Sequence, residues 1–262
     1  MTRVITISNE KGGVAKTTSA LSVGAALVEL DNRVLLIDLD PQANLTLALG
    51  YEPGEAEMSA ADVLLDSLSL MGARRSTDIH DLDLIPGEPR IETAEQFLPI
   101  RPDHMTTLRR ALQAAAPMSY DYVLIDCPPA LGSITTNALG AADLLIIPTQ
   151  PEYFSAYALR NMMSLIRKVR QDGNPNLAYR ILVTMLDRRN RSHRNIYEQL
   201  RSTFGDGVLT TVIEIDTKLR ESPIAGVPIT QYKSSTRGSV QYRVLAQELV
   251  QYARESATRQ PA

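Results

Sequence analysis

The sequence predicts an α/β protein, a single domain over residues 1–262 built on one mostly parallel, twisted sheet with helices on both faces. Three observations predict it. Short apolar, β-branched runs alternate along the chain with longer stretches of helical spacing. The first run, Val4-Ile5-Thr6-Ile7, leads into a glycine-rich, lysine-bearing loop and then a helical pattern. Two later runs end in aspartates, which places carboxylates at the carboxyl edge of the sheet, where open α/β folds bind ligands.

The elements follow in order. Strands are expected at 4–7, 34–37, 82–85, 122–125, 144–147, 181–185 and 208–213, each a run rich in Val, Ile and Leu as strands buried on both faces require. Helices are expected at 17–30, 58–69, 105–115, 155–171, 192–203 and 239–254, where apolar residues recur at three and four positions. The stretch 50–96 holds Pro53, Gly54, Gly72, Pro86, Gly87 and Pro89 and is read as the least regular part. In the last helix Val244, Leu245, Leu249 and Val250 are expected to form one core-facing stripe with little positive charge, which suits a domain-closing helix better than a membrane-binding one.

Composition narrows the classes. With 262 residues and 44% hydrophobic content the chain can bury a full core. No apolar run approaches the roughly 18 residues of a membrane span, and the opening Met1-Thr2-Arg3 runs straight into a strand without a signal segment. The single cysteine, Cys127, cannot form an internal disulfide or a cysteine-rich metal site, which favours a reducing, cytoplasmic location. With no apolar span and a core-facing last helix, no membrane partner is expected. Charge is uneven: residues 1–159 hold 10 Lys/Arg against 21 Asp/Glu, and residues 160–262 hold 17 against 9. The first half is thus acidic, and the second is a basic half expected to complete the sheet.

The loop Glu10-Lys11-Gly12-Gly13-Val14-Ala15-Lys16-Thr17-Thr18 carries the chemistry. Gly12 and Gly13 allow a sharp turn that aims successive amides at one anion, helped by the positive end of the following helix. Lys16 then reaches the β- and γ-phosphates, and the Thr17 hydroxyl joins the shell of a Mg²⁺ ion. The pattern G-x-x-x-x-G-K-[ST] fails at both glycines, where Glu10 and Ala15 stand. The pattern K-G-G-x-x-K-T-[TS] is matched at every fixed position.

That match resembles the deviant Walker A loop of the ParA/MinD superfamily of dimeric P-loop ATPases. The resemblance implies ATP and Mg²⁺ as ligands, held by Lys11, Gly12, Gly13, Val14, Ala15, Lys16, Thr17 and Thr18, with Lys11 crossing to the nucleotide of a second subunit. The run Asp38-Leu39-Asp40-Pro41-Gln42 resembles the family's switch I, D-x-D-P-Q, so Asp40 would orient the attacking water and Asp38 support the Mg²⁺ shell. Asp126-Cys127-Pro128-Pro129 resembles switch II, D-x-P-P, with Asp126 as a second metal-side carboxylate and Cys127 a packed bystander. Met185 and Asp216 are implied as further nucleotide contacts. The stretch from Ile213 to Pro223 resembles the family's I-P-R-N-V-R-L-S-E-A-P but carries Glu214-Ile215-Asp216 in place of Pro-Arg-Asn and Lys218 in place of arginine.

In the basic half, Arg188, Arg189, Arg191, Lys218, Arg220, Lys233 and Arg237 are candidate contacts to DNA phosphates, a salt-sensitive and sequence-independent attraction. The resemblance implies an ATP-bound homodimer on nonspecific DNA, a nucleoid-associated location, and a ParB-like or cargo-adaptor protein that stimulates hydrolysis. The cargo would be a plasmid, a chromosome or a protein assembly. Two rivals share the scaffold: a membrane-cycling ATPase of the MinD kind, and an ATP-dependent ligase for small acids.

Overall fold

The computed structural model describes residues 2–101 and 105–259. In chain order the first half contains β1 (Arg3–Ile7), α1 (Lys16–Val28), β2 (Val34–Asp38), α2 (Asn44–Leu47), α3 (Ala60–Leu65), β3 (Arg75–Ser76), β4 (Leu82–Ile85), α4 (Ile91–Phe97), α5 (Thr107–Ala114), β5 (Tyr122–Asp126), α6 (Ser133–Ala141) and β6 (Leu144–Thr149). The second half contains α7 (Ser155–Asp172), β7 (Ala178–Val183), α8 (Arg191–Phe204), α9 (Lys218–Ile224), α10 (Ile229–Tyr232) and α11 (Arg237–Arg259). The sheet runs β3-β4-β2-β5-β1-β6-β7, parallel throughout except for the short antiparallel β3.

The central strands β2 and β5 are buried at every residue, which is why they read as unbroken apolar runs. One face packs under α1 and α11, with Leu21, Leu27, Tyr242, Leu245 and Leu249 closing over Leu36 and Leu124. The other face packs under α3 to α6 around Ile37, Ile85, Val123 and Ile125. Beyond β6, Ile147, Ile181 and Val183 pack against α7 and α8. Register matters most at the top edge: Asp38 of β2 lies directly beside Asp126 of β5, and Asp126 in turn beside Ile7 of β1. The phosphate loop leaves β1 at that same edge, so the strand order alone gathers the loop and both carboxylates.

Several expected elements differ. Residues 208–213 are not a strand, although the segment does run beside β7. Leu209 N–H donates to Ile181 O at 2.9 Å, but Thr211 N–H, the next rung of a parallel ladder, donates to the Glu248 carboxylate of α11 at 2.9 Å. Ile213 N–H then takes Val183 O at 2.9 Å, two residues late, and the ladder is lost. The helix expected at 58–69 shortens to Ala60–Leu65: Ser59 and Asp62 form a capping box that sets its start, and Ser67, in the left-handed region at φ 54°, lies just past its end. In α11 Val244 points to solvent at 46% exposure, and the buried stripe is Tyr242, Leu245, Ala246 and Leu249, with Val250 only partly covered. Among the described residues no helix is long and apolar enough to cross a membrane.

Candidate functional site

The loop between β1 and α1 is built around two left-handed residues, Gly13 (φ 73°) and Ala15 (φ 67°). Glycine adopts this conformation freely, whereas an alanine there is strained by about 1–2 kcal/mol. Ala15 caps α1 without a side-chain hydrogen bond, and no acidic residue stands in the first turn, so the helix's open N–H groups and positive end face the loop unneutralised. Two bonds fix the loop's shape: Thr184 Oγ1 donates to Val14 O at 3.1 Å, and Lys16 Nζ donates to Lys11 O at 3.0 Å. Val14 is accordingly buried beneath the loop, while Gly12, Gly13, Ala15, Lys16, Thr17 and Thr18 line a cavity of about 680 Å³.

Lys16 is only 7% exposed. Burial lowers its pKa, and the carboxylates of Asp126 and Asp40 pull it back up. Asp40, also 7% exposed, lines the cavity and accepts Gln42 N–H at 3.0 Å. Asp38 and Asp126 are both fully buried, yet their surroundings differ. Asp38 accepts three hydrogen bonds, from Asp40 N (3.1 Å), Thr46 N (2.9 Å) and Thr46 Oγ1 (2.7 Å). Burial still pushes its pKa up to about 6, against the pull of those bonds.

Neither oxygen of Asp126 has a hydrogen-bond partner. Burial and the neighbouring Asp38 raise its pKa well above the usual carboxylate range, and a nearby Thr17 side chain and Lys16 only partly offset this. Cys127 is buried, and burial first, then the charge of Asp126, hold its thiol well above its ordinary pKa, so it offers no thiolate.

The remaining candidates separate into groups. Lys11 is turned toward its own chain, ion-paired with Glu152. Met185, in the left-handed region at φ 53°, sits on the wall of the main cavity and of an adjoining one of about 240 Å³ that also includes His193, Asp216 and Arg220. Both oxygens of Asp216 are occupied, by Lys218 N–H and by Gly238 N–H at 2.9 Å each, so the side chain braces the starts of α9 and α11.

Of the basic residues, Arg188 and Arg237 are drawn together onto one carboxylate, Glu214, at 2.6 and 2.9 Å. Arg189 pairs with Asp187 and Lys218 with Glu221. Arg191, Arg220 and Lys233 are exposed, with no ion pair among the described residues, but Arg220 lies on the wall of the main cavity. Sequence reasoning missed Glu214 and Glu152 as partners of the basic side chains, and Thr46, whose spacing eight residues after Asp38 gave no motif. Gln42 and Asn44, both on the cavity wall, were within reach, since they continue the D-x-D-P-Q run.

Residues 2–179 match a protein-family model described as an AAA domain. The chain is 38% identical to sporulation initiation inhibitor protein Soj of Bacillus subtilis, over 95% of this chain and 98% of that protein. It is 38% identical to chromosome partitioning protein ParA of Caulobacter vibrioides, over 97% and 96%. The chain belongs to the ParA/MinD family of ATPases. Among solved structures, cobyrinic acid a,c-diamide synthase from Mycobacterium smegmatis with bound ADP and magnesium superimposes with a TM-score of 0.85 at 34% identity, covering 98% of this chain and 97% of that one. The seven-stranded sheet and its phosphate loop are therefore those of a P-loop member of the ParA/MinD family.

Proposed function

We propose that the chain is a ParA-type ATPase that binds Mg·ATP, pairs with a second copy across the nucleotide, holds DNA without sequence preference and lets go on hydrolysis. The single observation that carries this reading is the convergence at one sheet edge of a preformed phosphate loop, a buried lysine and a buried carboxylate with no partner. A polar group buried without a hydrogen bond costs roughly 1–3 kcal/mol, and a charged one more. Asp126 therefore fits a group that brings positive charge or donors.

Among the described residues no three His, Cys, Asp or Glu side chains cluster as a self-contained metal cage. Magnesium suits such a site, because it keeps several waters and takes one or two carboxylates plus substrate phosphates. Asp126 and the Thr17 hydroxyl would hold it, and it would neutralise charge on the phosphates when bound. Lys16 and the first-turn amides of α1 bind the phosphate oxygens, and Asp40 stands at the cavity wall where it can accept a hydrogen bond from water. Met185 borders the space left for the rest of the nucleotide, and Asp216 serves it indirectly by bracing the wall that carries Arg220.

Lys11 would cross to the partner's nucleotide. Its present ion pair with Glu152 is no obstacle, since the side chains are 28% and 48% exposed and such pairs are worth only about 0–1 kcal/mol. The acidic half would hold the nucleotide and the basic half the DNA. We propose a cytoplasmic, nucleoid-associated protein, stimulated by a ParB-like or cargo-adaptor partner and carrying a plasmid, chromosome or protein assembly.

The test is gel filtration with and without a nonhydrolysable ATP analogue, paired with ATP turnover with and without duplex DNA. Dimerisation on the analogue and DNA binding limited to the ATP-bound form are the expected results. The likeness to an enzyme named as a diamide synthase favours a second reading, ATP-dependent amide formation on a small acid. If turnover stays absent until a small carboxylic acid and an amide donor are added, and DNA has no effect, that second reading replaces the first.

A further inference from the structure

Thr46, a buried residue bonded to Asp38, plays no part in the chemistry described above. Its backbone N–H and its hydroxyl both donate to Asp38 Oδ2, at 2.9 and 2.7 Å, and its oxygen accepts the N–H of Gly87 at 2.8 Å. The other oxygen of Asp38 accepts Asp40 N–H at 3.1 Å. One fully buried carboxylate thus grips both ends of the segment 40–46, and the hydroxyl of Thr46 ties that grip to the tip of β4.

The packing is close. A Cβ on Gly87 would stand 2.8 Å from Asp38 Cγ, so the glycine is what lets the β4 tip approach. Within the segment, Ala43 is held in the left-handed region at φ 50°, and Ala43 N–H donates to Asp40 O at 2.8 Å. Nothing else among the described side chains bonds to the Asp40 carboxylate; only Gln42 N–H, itself inside the segment, reaches it.

From this chain of bonds we infer that Thr46 is a positioning residue for hydrolysis: acting through Asp38, it fixes where Asp40 stands. The inference rests on the proposed ATPase reading. It also moves Asp38 from the metal shell to the frame of the site, since three donors already occupy its oxygens, whereas Asp126 has none. Buried, fully satisfied networks of this kind hold one geometry, and misplacement by about 1 Å at a reacting centre can cost on the order of 10²-fold in rate.

The test uses Thr46→Val, which keeps the shape and removes both hydroxyl bonds, and Thr46→Ser, which keeps the bonds. Single-turnover ATP hydrolysis, affinity for a nonhydrolysable ATP analogue and the magnesium concentration at half-maximal rate are measured for each. Thr46→Val should hydrolyse about 10- to 100-fold more slowly, with analogue affinity and magnesium half-saturation within about twofold of the parent. Thr46→Ser should stay within about threefold in rate. In an Asp40→Ala background, Thr46→Val should slow the residual rate no further.

Asp38→Asn provides a second route if the valine variant does not fold, and it should show the same split, a slower rate at unchanged magnesium half-saturation. An unaffected rate in Thr46→Val overturns the inference, as does a matched loss of affinity and rate, or a further loss without Asp40. A magnesium requirement that rises in Asp38→Asn returns Asp38 to the metal and also overturns it. If the parent protein hydrolyses no ATP with or without DNA, the ATPase reading itself fails and takes this inference with it.

Discussion

Replacing Asp126 with asparagine should make the metal-free protein more stable at neutral pH, the reverse of what removing a central, fully buried side chain usually does. The carboxylate lies beside Asp38 on the adjacent strand, neither of its oxygens has a hydrogen-bond partner, and the Thr17 side chain and the Lys16 charge only partly offset its burial. Burial and the Asp38 charge raise its pKa well above the usual carboxylate range, so the folded protein holds this proton to a higher pH than the unfolded chain does. Its contribution is therefore favourable below the unfolded pKa of about 3.9 and is lost as pH rises through the native value.

An amide of the same shape removes the charge but still buries a neutral polar group, so the relief is the extra cost of holding the charge there, about 2 kcal/mol if that excess is taken as comparable to the roughly 1–3 kcal/mol cost of an unpartnered neutral group. For a domain of this size that corresponds to a rise of about 4–8 °C in melting temperature. Thermal denaturation in a chelator should show the gap widening as pH rises above about 4. Added magnesium with ADP should raise the parent's melting temperature by the linkage relation and raise the variant's much less. A variant that melts lower than the parent in chelator, or that gains equally from magnesium, would refute the view of Asp126 as a carboxylate waiting for a cation.

Other substitutions address the loop and the basic half. Lys16→Ala removes the buried ammonium aimed at the phosphates and should weaken nucleotide binding by roughly 1.5–3 kcal/mol for each charge-assisted bond lost, measured by calorimetry with ADP. Lys11→Ala should bind ATP nearly as the parent does but lose on the order of 10³-fold in hydrolysis, with no analogue-induced dimer in gel filtration; normal turnover would remove the cross-subunit role. Glu214→Gln frees Arg188 and Arg237 from their shared carboxylate and should tighten duplex DNA binding, with a log–log salt slope steeper by about one to two contacts in a fluorescence anisotropy titration. An unchanged slope would mean that neither arginine meets DNA.

The site was largely legible because its parts are local. A loop, the strand before it and the helix after it announce themselves within fifteen residues of sequence, and two apolar strands ending in aspartate give their carboxylates a common edge once the sheet is parallel. What sequence could not give was long-range pairing. Glu248 diverts one rung from the segment 208–213 across 37 residues and turns an expected strand into a flanking loop. Helices α4 and α6 went unread because IETAEQF is a short segment in the least regular stretch, and SITTNALGA mixes β-branched residues with glycine. The basic half reads as uniformly available in sequence, yet four of its seven candidate side chains are ion-paired, and a fifth, Arg220, lines the main cavity.

Strain follows the same map. Of the six non-glycine residues with positive φ among the described residues, Asp31 and Asp81 lie in turns, Ser67 follows the end of α3, and the other three, Ala15, Ala43 and Met185, surround the site. Left-handed backbone at residues that resist it persists only where the surroundings over-determine it. Here the surroundings are identifiable: Thr184 and Lys16 bond to the loop of Ala15, and Asp38 with Thr46 clasps the segment of Ala43. Alanine at position 15 costs about 1–2 kcal/mol in the folded state, and where φ is positive that cost outweighs the entropy it removes from the unfolded chain. The residue that spoils the ordinary phosphate-loop pattern in the sequence is, in the structure, held in the left-handed region by the bonds around it and not by its own preference.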